Sequence, residues 1–362
     1  MVPTGYNVTI KHPLLFKAGP AAFADVRNHG FSVDRIGSIA GASGGAKWLV
    51  LSQIDRVIAD RILPRLVGPV HLVGSSIGSW RHACYAQSDP LAAIDRFESA
   101  YLEQSYSPEP DMAEISEKGR EILCHIFADT GAAEVVSNPV LRSHIMTVRS
   151  RFLTASDARL PLSFALTVSA VANFISRRSL GLFFSRALFY DARDLPPFFN
   201  LDGFPLHQIR LTEDNIVDAV AASGSVPLVI SGVRNISGAP DGVYRDGGVI
   251  DYHLDLPLSE PDRLTLFPHF FERLIPGWFD KKLTLRKPHP KHVENTILIC
   301  PSAEFVSRLP NAKIPDRTDF ATMTQDQRRC SWRDAVSACR ELADDFADVL
   351  DNGTLAARLE QL

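Results

Sequence analysis

Two serines in this chain sit where a hydroxyl can become a nucleophile. Ser43 occupies Gly41-Ala42-Ser43-Gly44-Gly45, between the apolar run Arg35–Ala40 and a stretch whose Leu51, Ile54, Ile58 and Ile62 recur at helical spacing. The first run reads as a buried strand and 44–62 as a helix. A strand turning sharply into a helix forces the residue at the corner into a strained, exposed conformation. Glycines two positions before and after it remove the Cβ atoms that would block the turn. The hydroxyl then stands at the positive end of a helix, where developing negative charge is stabilised. Gly74-Ser75-Ser76-Ile77-Gly78 repeats the pattern after the strand-like Val70–Val73. Nothing local separates the two matches. Two such corners in one domain are unusual, so one reads as a strand-to-helix turn lining the site.

Such a serine needs a base and a place for an oxyanion. Upstream, Leu14-Leu15-Phe16 reads as a strand and 21–29 as a helix. The turn between them, Lys17-Ala18-Gly19-Pro20, either offers amides to an oxyanion or is an ordinary connection. Downstream, Asp246-Gly247-Gly248 lies between apolar runs, and it either projects a carboxylate from a close-packed loop or turns a hairpin. His253 follows within a few residues and could complete a triad or line the mouth of the site.

At this point the chain resembles the patatin-like acyl hydrolases, lipid-cleaving serine enzymes. Three blocks carry the resemblance, in the family's order, across residues 12–258: Gly41–Gly45, Ala222-Ser223-Gly224-Ser225-Val226-Pro227, and Asp246–Asp251 running on to Pro257. It implies a three-layer α/β/α fold with a mainly parallel central sheet and no cofactor. It implies a serine lipid acyl hydrolase of phospholipase or esterase type, in which Ser43 is the nucleophile and Asp246 its base, without a histidine. An acyl-Ser43 would form and be released by water. The amides of Ala18, Gly19 and Gly44 would then hold the oxyanion. Lys17, Gly41, Gly45, Ser76, Gly247, Gly248 and His253 would line the site. The family carries a run of glycines and an arginine in its oxyanion loop, where this chain has only Gly19 and Lys17. That departure keeps a second reading open, an acyl- or lipid-binding protein of the same fold without the chemistry. A third reading, Ser76 with a histidine base, lacks a matching acid–histidine pair.

The rest of the sequence bounds these readings. The chain has 362 residues, 45% of them hydrophobic and 22% charged, with net charge −4. That suits a large soluble α/β domain and gives no reason to expect nucleic acid. The alternation of strand-like and helix-like runs places a domain over 1–316, with a helical extension over 317–362 packed on it. In that extension Ser331–Asp334 reads as a capping box, Trp332, Val336, Cys339, Leu342 and Phe346 as one buried stripe, and Asn352-Gly353 as the stop. The five cysteines follow neither metal-binding nor disulfide spacing, and the eleven histidines offer no helical ligand pair, so no metal is expected. Free thiols and a Met1–Tyr6 start without a basic, apolar leader point to the cytoplasm. An apolar insert at about 151–186, with five arginines against the single acid Asp157, could touch a membrane through about 160–186, cap an acyl pocket, or form a buried hairpin. The basic stretch Lys281–His292 could face phosphate or solvent. Composition leaves the oligomeric state open.

Overall fold

The computed structural model describes residues 12–258 and 260–362; the Met1–Tyr6 start lies outside them. Ten strands form one sheet: β1 (Leu14–Ala18), β2 (Ile36–Gly41), β3 (Val70–Ser75), β4 (Leu141–Ser150), β5 (Phe184–Tyr190), β6 (Leu206–Arg210), β7 (Val243–Asp246), β8 (Leu264–Pro268), β9 (Thr296–Pro301) and β10 (Leu359–Gln361). The order is β10-β1-β9-β8-β2-β3-β4-β5-β6, with β7 pairing β4 off this path. Six of the nine pairings are parallel. Helices flank the sheet, giving the mixed α/β architecture the sequence implies. β2 is buried at every position and β3 at all but His71, as strands covered on both faces must be, whereas the edge strand β6 buries one residue in five.

The runs 14–16 and 70–73 lie within strands, Arg35–Ala40 is strand from Ile36 onward, and 21–29 belongs to the helix Pro20–His29. The run at 44–62 is helical in pieces: a 3-10 turn Gly45–Val50, an α-helix Ser52–Val57 and a π-turn Ile58–Ile62. Its inner side is held by Trp48, which stacks on Phe97 with ring centroids 3.9 Å apart. Asp246-Gly247-Gly248 is not a hairpin, because β7 ends in a 3-10 turn, Gly247–Val249.

In the C-terminal part the stripe Trp332, Val336, Cys339, Leu342 and Phe346 is buried, and Tyr101 stacks on Trp332. The capping box, however, is Thr324 with Gln327, so Ser331–Asp334 lies inside the Gln325–Ala338 helix. Thr324 caps about two turns earlier because Gln327 reaches back to its amide, bonding the first free donors of the helix. The next helix stops at Asp351, before Asn352 and the left-handed Gly353. Residues 359–361 add β10 to the sheet beside β1, an element not expected there. All five cysteines are free.

Candidate active site

β3 pairs with β4 as far as Ser75 opposite Met146. The chain then turns at Ser76, with φ 56° and ψ −130°, into the Ile77–Tyr85 helix. A side chain at positive φ is costly and needs a surround that enforces it. Here the helix seats directly on β2, and a Cβ on Gly78 would collide with the Gly41 carbonyl oxygen. Ser223 locks the corner from the other side. Its hydroxyl accepts from the Ser76 amide at 2.8 Å and donates to the Met146 carbonyl at 2.7 Å. Farther along the helix, Arg81 and Tyr85 both bond the buried Asp55, at 2.6–2.8 Å, tying it to the neighbouring helix. Desolvated charges of this kind are tolerated because each faces its opposite at hydrogen-bond distance.

The acid arrives from the opposite direction. β7 runs antiparallel to β4 and ends with Asp246 opposite Thr147, one residue past the point where β3 stops. The Asp246 amide donates to the Ser225 carbonyl at 3.0 Å. Its Oδ1 accepts from the Gly248 amide at 2.7 Å, and its Oδ2 accepts from the Ser76 hydroxyl at 2.7 Å. Burial pushes its pKa up to about 6, against the pull of those two hydrogen bonds and of the Lys281 and Arg317 charges. Beyond it, Asp251 makes a buried bidentate pair with Arg186 at 2.7 and 2.8 Å, which anchors the turn after the acid.

The hydroxyl on Asp246 is therefore that of Ser76, not Ser43. Ser43 donates instead to the Ser75 hydroxyl at 3.0 Å. The strand order explains this: β3 adjoins β4, the strand that carries β7, while β2 lies one strand farther away. Ser43 remains in the same cavity, close against Gly248, where any Cβ would strike its hydroxyl. Gly44, Gly45, Ser76, Asp246 and Gly248 line that cavity as well. Gly41 lies behind it against Gly78, and Gly247 packs on the Met146 carbonyl.

Three expected residues lie elsewhere. Lys17 and Ala18 close β1 and Gly19 caps the following helix, and two strands, β9 and β8, separate β1 from β2. The Gly19 amide donates to the Thr296 carbonyl at 3.0 Å, so it has nothing left for an oxyanion. Ala18 is wholly buried beside β9, and Lys17 pairs with Glu272 and Glu360. His253 also departs from the expectation. It is buried, its Nδ1 accepts from the Ile275 amide at 2.9 Å, and its ring stacks on Tyr252. Burial drives its pKa well below the usual value, which leaves a neutral core histidine. By contrast the amides of Gly44 and Gly45, beside Ser76, have no acceptor among the described residues.

Two cavities meet at Ser76. The first, about 200 Å³, holds Ser43, Ser76 and Asp246 together with Lys47, Lys281 and Arg317. Asp316 also lines it, but its carboxylate is engaged by Lys313 and Thr318. No carboxylate forms an ion pair with Lys47, Lys281 or Arg317 among the described residues. Burial lowers Lys47, and burial with the Arg317 and Lys47 charges brings Lys281 down to about 8. The second cavity, about 300 Å³, is walled by apolar groups including Trp80, Tyr101, Ile115, Ile122, Val229 and Ile230. Neither the Lys47–Lys281–Arg317 cluster nor the role of Ser223 was read from the sequence. Ser223 stood in one of the three blocks without a task, and the cations come from distant segments.

Fold and site together define an α/β protein with a buried serine–aspartate pair at a strand-to-helix corner. No family model matches the chain, and no curated protein does. Among solved structures it is similar to the crystal structure of VipD from Legionella pneumophila, at 12% sequence identity and a TM-score of 0.39, over 97% of this chain and 72% of that one.

Ser223→Ala would leave the Ser76 amide and the Met146 carbonyl without their buried partner. We expect a loss of about 1–3 kcal/mol in urea unfolding. An unchanged midpoint would remove Ser223 from the corner's support.

Proposed function

We propose that the protein is a serine acyl hydrolase that cleaves a carboxylic ester through an acyl-Ser76 intermediate, with Asp246 as the base. The observation carrying this is the 2.7 Å hydrogen bond from the Ser76 hydroxyl to a buried carboxylate whose pKa burial pushes up to about 6. As Ser76 Oγ attacks the ester carbonyl, its proton passes to Asp246 Oδ2. The oxyanion that forms is held by the unpaired Gly44 and Gly45 amides, with the N-terminus of the Ile77–Tyr85 helix adding positive potential. As the tetrahedral species collapses, the departing alkoxide takes that proton. Water then attacks the acyl group, giving its proton to Asp246; as this second tetrahedral species collapses, Ser76 Oγ takes that proton back and the carboxylic acid leaves. A carboxylate is a weak base in water. Desolvation and direct contact with the hydroxyl raise its effective basicity here. This keeps the reaction class and the acid that the patatin-like resemblance implies, while moving the nucleophile from Ser43 to Ser76.

The two cavities divide the substrate. The apolar one suits an acyl chain, and the cationic one suits an alcohol portion bearing phosphate or carboxylate.

A fluorophosphonate probe should label the wild type and Ser43→Ala but not Ser76→Ala. Labelling that survives Ser76→Ala would sink the assignment. An unlabelled wild type would favour the binding-protein reading instead.

Asp246→Asn should lower turnover by roughly 10²–10⁴-fold. In the wild type, kcat/KM should rise through about pH 6 as the carboxylate ionises, then level off. The stability effect has the opposite sign. A raised folded pKa means the native state binds protons more tightly, so stability falls as pH rises from about 4 through 6. Asp246→Asn should therefore be more stable than wild type at pH 8, by on the order of 3 kcal/mol, and melt at a higher temperature. A lower melting point with full activity would exclude the buried base.

Lys47→Met with Lys281→Met should raise KM at least about tenfold for esters whose alcohol carries an anion, with little change for neutral esters. An equal effect on both would show that the cations do not select the alcohol.

A further inference from the structure

The described residues expose fifteen large apolar side chains, and nine of them fall between Phe152 and Leu182. The Arg159–Ile175 helix concentrates them. Leu160, Phe164, Val168, Val171 and Ile175 follow one another at helical spacing on its outer side, with Phe174 beside them. Leu160 is 83% exposed, Phe174 70% and Ile175 81%. The inner side does what a core helix should. Leu162 and Leu166 pack with Val249 and Ile250, and Asn173 donates to Asp280 at 2.8 Å. The helix is therefore well seated, and its outer side is apolar by composition rather than through misplacement. A tenth exposed apolar residue, Leu285, 95% accessible, belongs to the same surface. Its neighbour Arg286 bonds the Asn173 carbonyl and holds that loop against the end of the helix.

The charge around this surface has one sign. Arg159 and Arg178 stand exposed at its two ends, and Lys282 and Lys287 flank Leu285. No acid occurs between residues 158 and 190 or between 281 and 293. Of the acids bordering these runs, Asp157 pairs with Arg234 and Arg245, and Asp280 with Arg286 and Arg177. At about 25 Å the helix cannot cross a bilayer along with its charged ends, and no helix among the described residues is long and apolar enough to do so. An apolar strip with a cationic rim lies in the plane of an interface. It also lies beside the mouth of the site, since Val249 and Trp278, which belong to its supporting cluster, line the Ser76 cavity.

We propose that this face docks the protein on an anionic lipid surface, with the apolar side chains entering the acyl boundary and the four cations meeting head groups. The inference does not need the acyl hydrolase reading. Its readout is sedimentation with vesicles, so loss of hydrolysis and loss of docking are separate results.

The full chain should co-sediment with vesicles of phosphatidylcholine and phosphatidylserine, and far less with phosphatidylcholine alone. Phe164→Glu with Phe174→Glu should reduce the bound fraction at least about tenfold. Arg178→Glu with Lys282→Glu should abolish the preference for anionic vesicles. All four positions are exposed, so unchanged circular dichroism and melting would confirm that the variants stay folded. Equal binding by the Phe164→Glu, Phe174→Glu variant would overturn the proposal, as would a wild type that ignores both vesicles. If size exclusion instead shows a dimer that this variant dissolves, the face belongs to a second copy and the lipid assignment fails.

Discussion

One edge of β4 carries two strands end to end, and everything else at the site follows from that. β3 climbs alongside β4 to Met146 and must leave; β7 descends alongside the same strand and must stop at Thr147. The opposite edge is taken by β5. Two strand ends meeting at one point put the Ser76 hydroxyl and the Asp246 carboxylate in contact. The chain leaves by the helix after Ser76 and by the turn after Asp246. Each exit is then fixed by its own buried polar pair, Asp55 with Arg81 on one side and Asp251 with Arg186 on the other. Such pairs add little net stability, but they are costly to misalign, which is what a site of this kind requires.

Much of the fold was legible in the sequence. Apolar runs and glycine punctuation marked most strands near the site, and Asp246 was identified along with both serine corners. The choice between the corners was not available locally. Both have glycines at the same offsets, and both sit between a strand and a helix. What distinguishes them is which strand lies beside β4, a property of sheet order that no window of residues contains. The same is true of Lys17-Ala18-Gly19-Pro20. It is the strand-to-helix turn it resembled, but β8 and β9, from much later in the chain, insert between β1 and β2 and carry it away from the serine. Glycines that could serve an oxyanion lie in the segment read as the nucleophile's own corner, at Gly44 and Gly45.

The insert at 151–186 shows a different limit. Its composition could equally describe a buried hairpin or a surface element. Periodicity alone cannot say how many faces of a helix are covered. The packing answers it: Leu162, Ala165, Leu166, Ser169 and Asn173 are inside, while Leu160, Phe164, Val171, Phe174 and Ile175 are each more than half exposed.

The backbone at Ser76 has an evolutionary corollary. Its torsion angles are those a glycine would adopt more cheaply, so the backbone at this corner penalises any side chain. Only the bond to Asp246 offsets that penalty, so a descendant that lost the acid would have nothing left to hold a serine at the corner. A serine that persists at this corner across relatives would thus record continuing use.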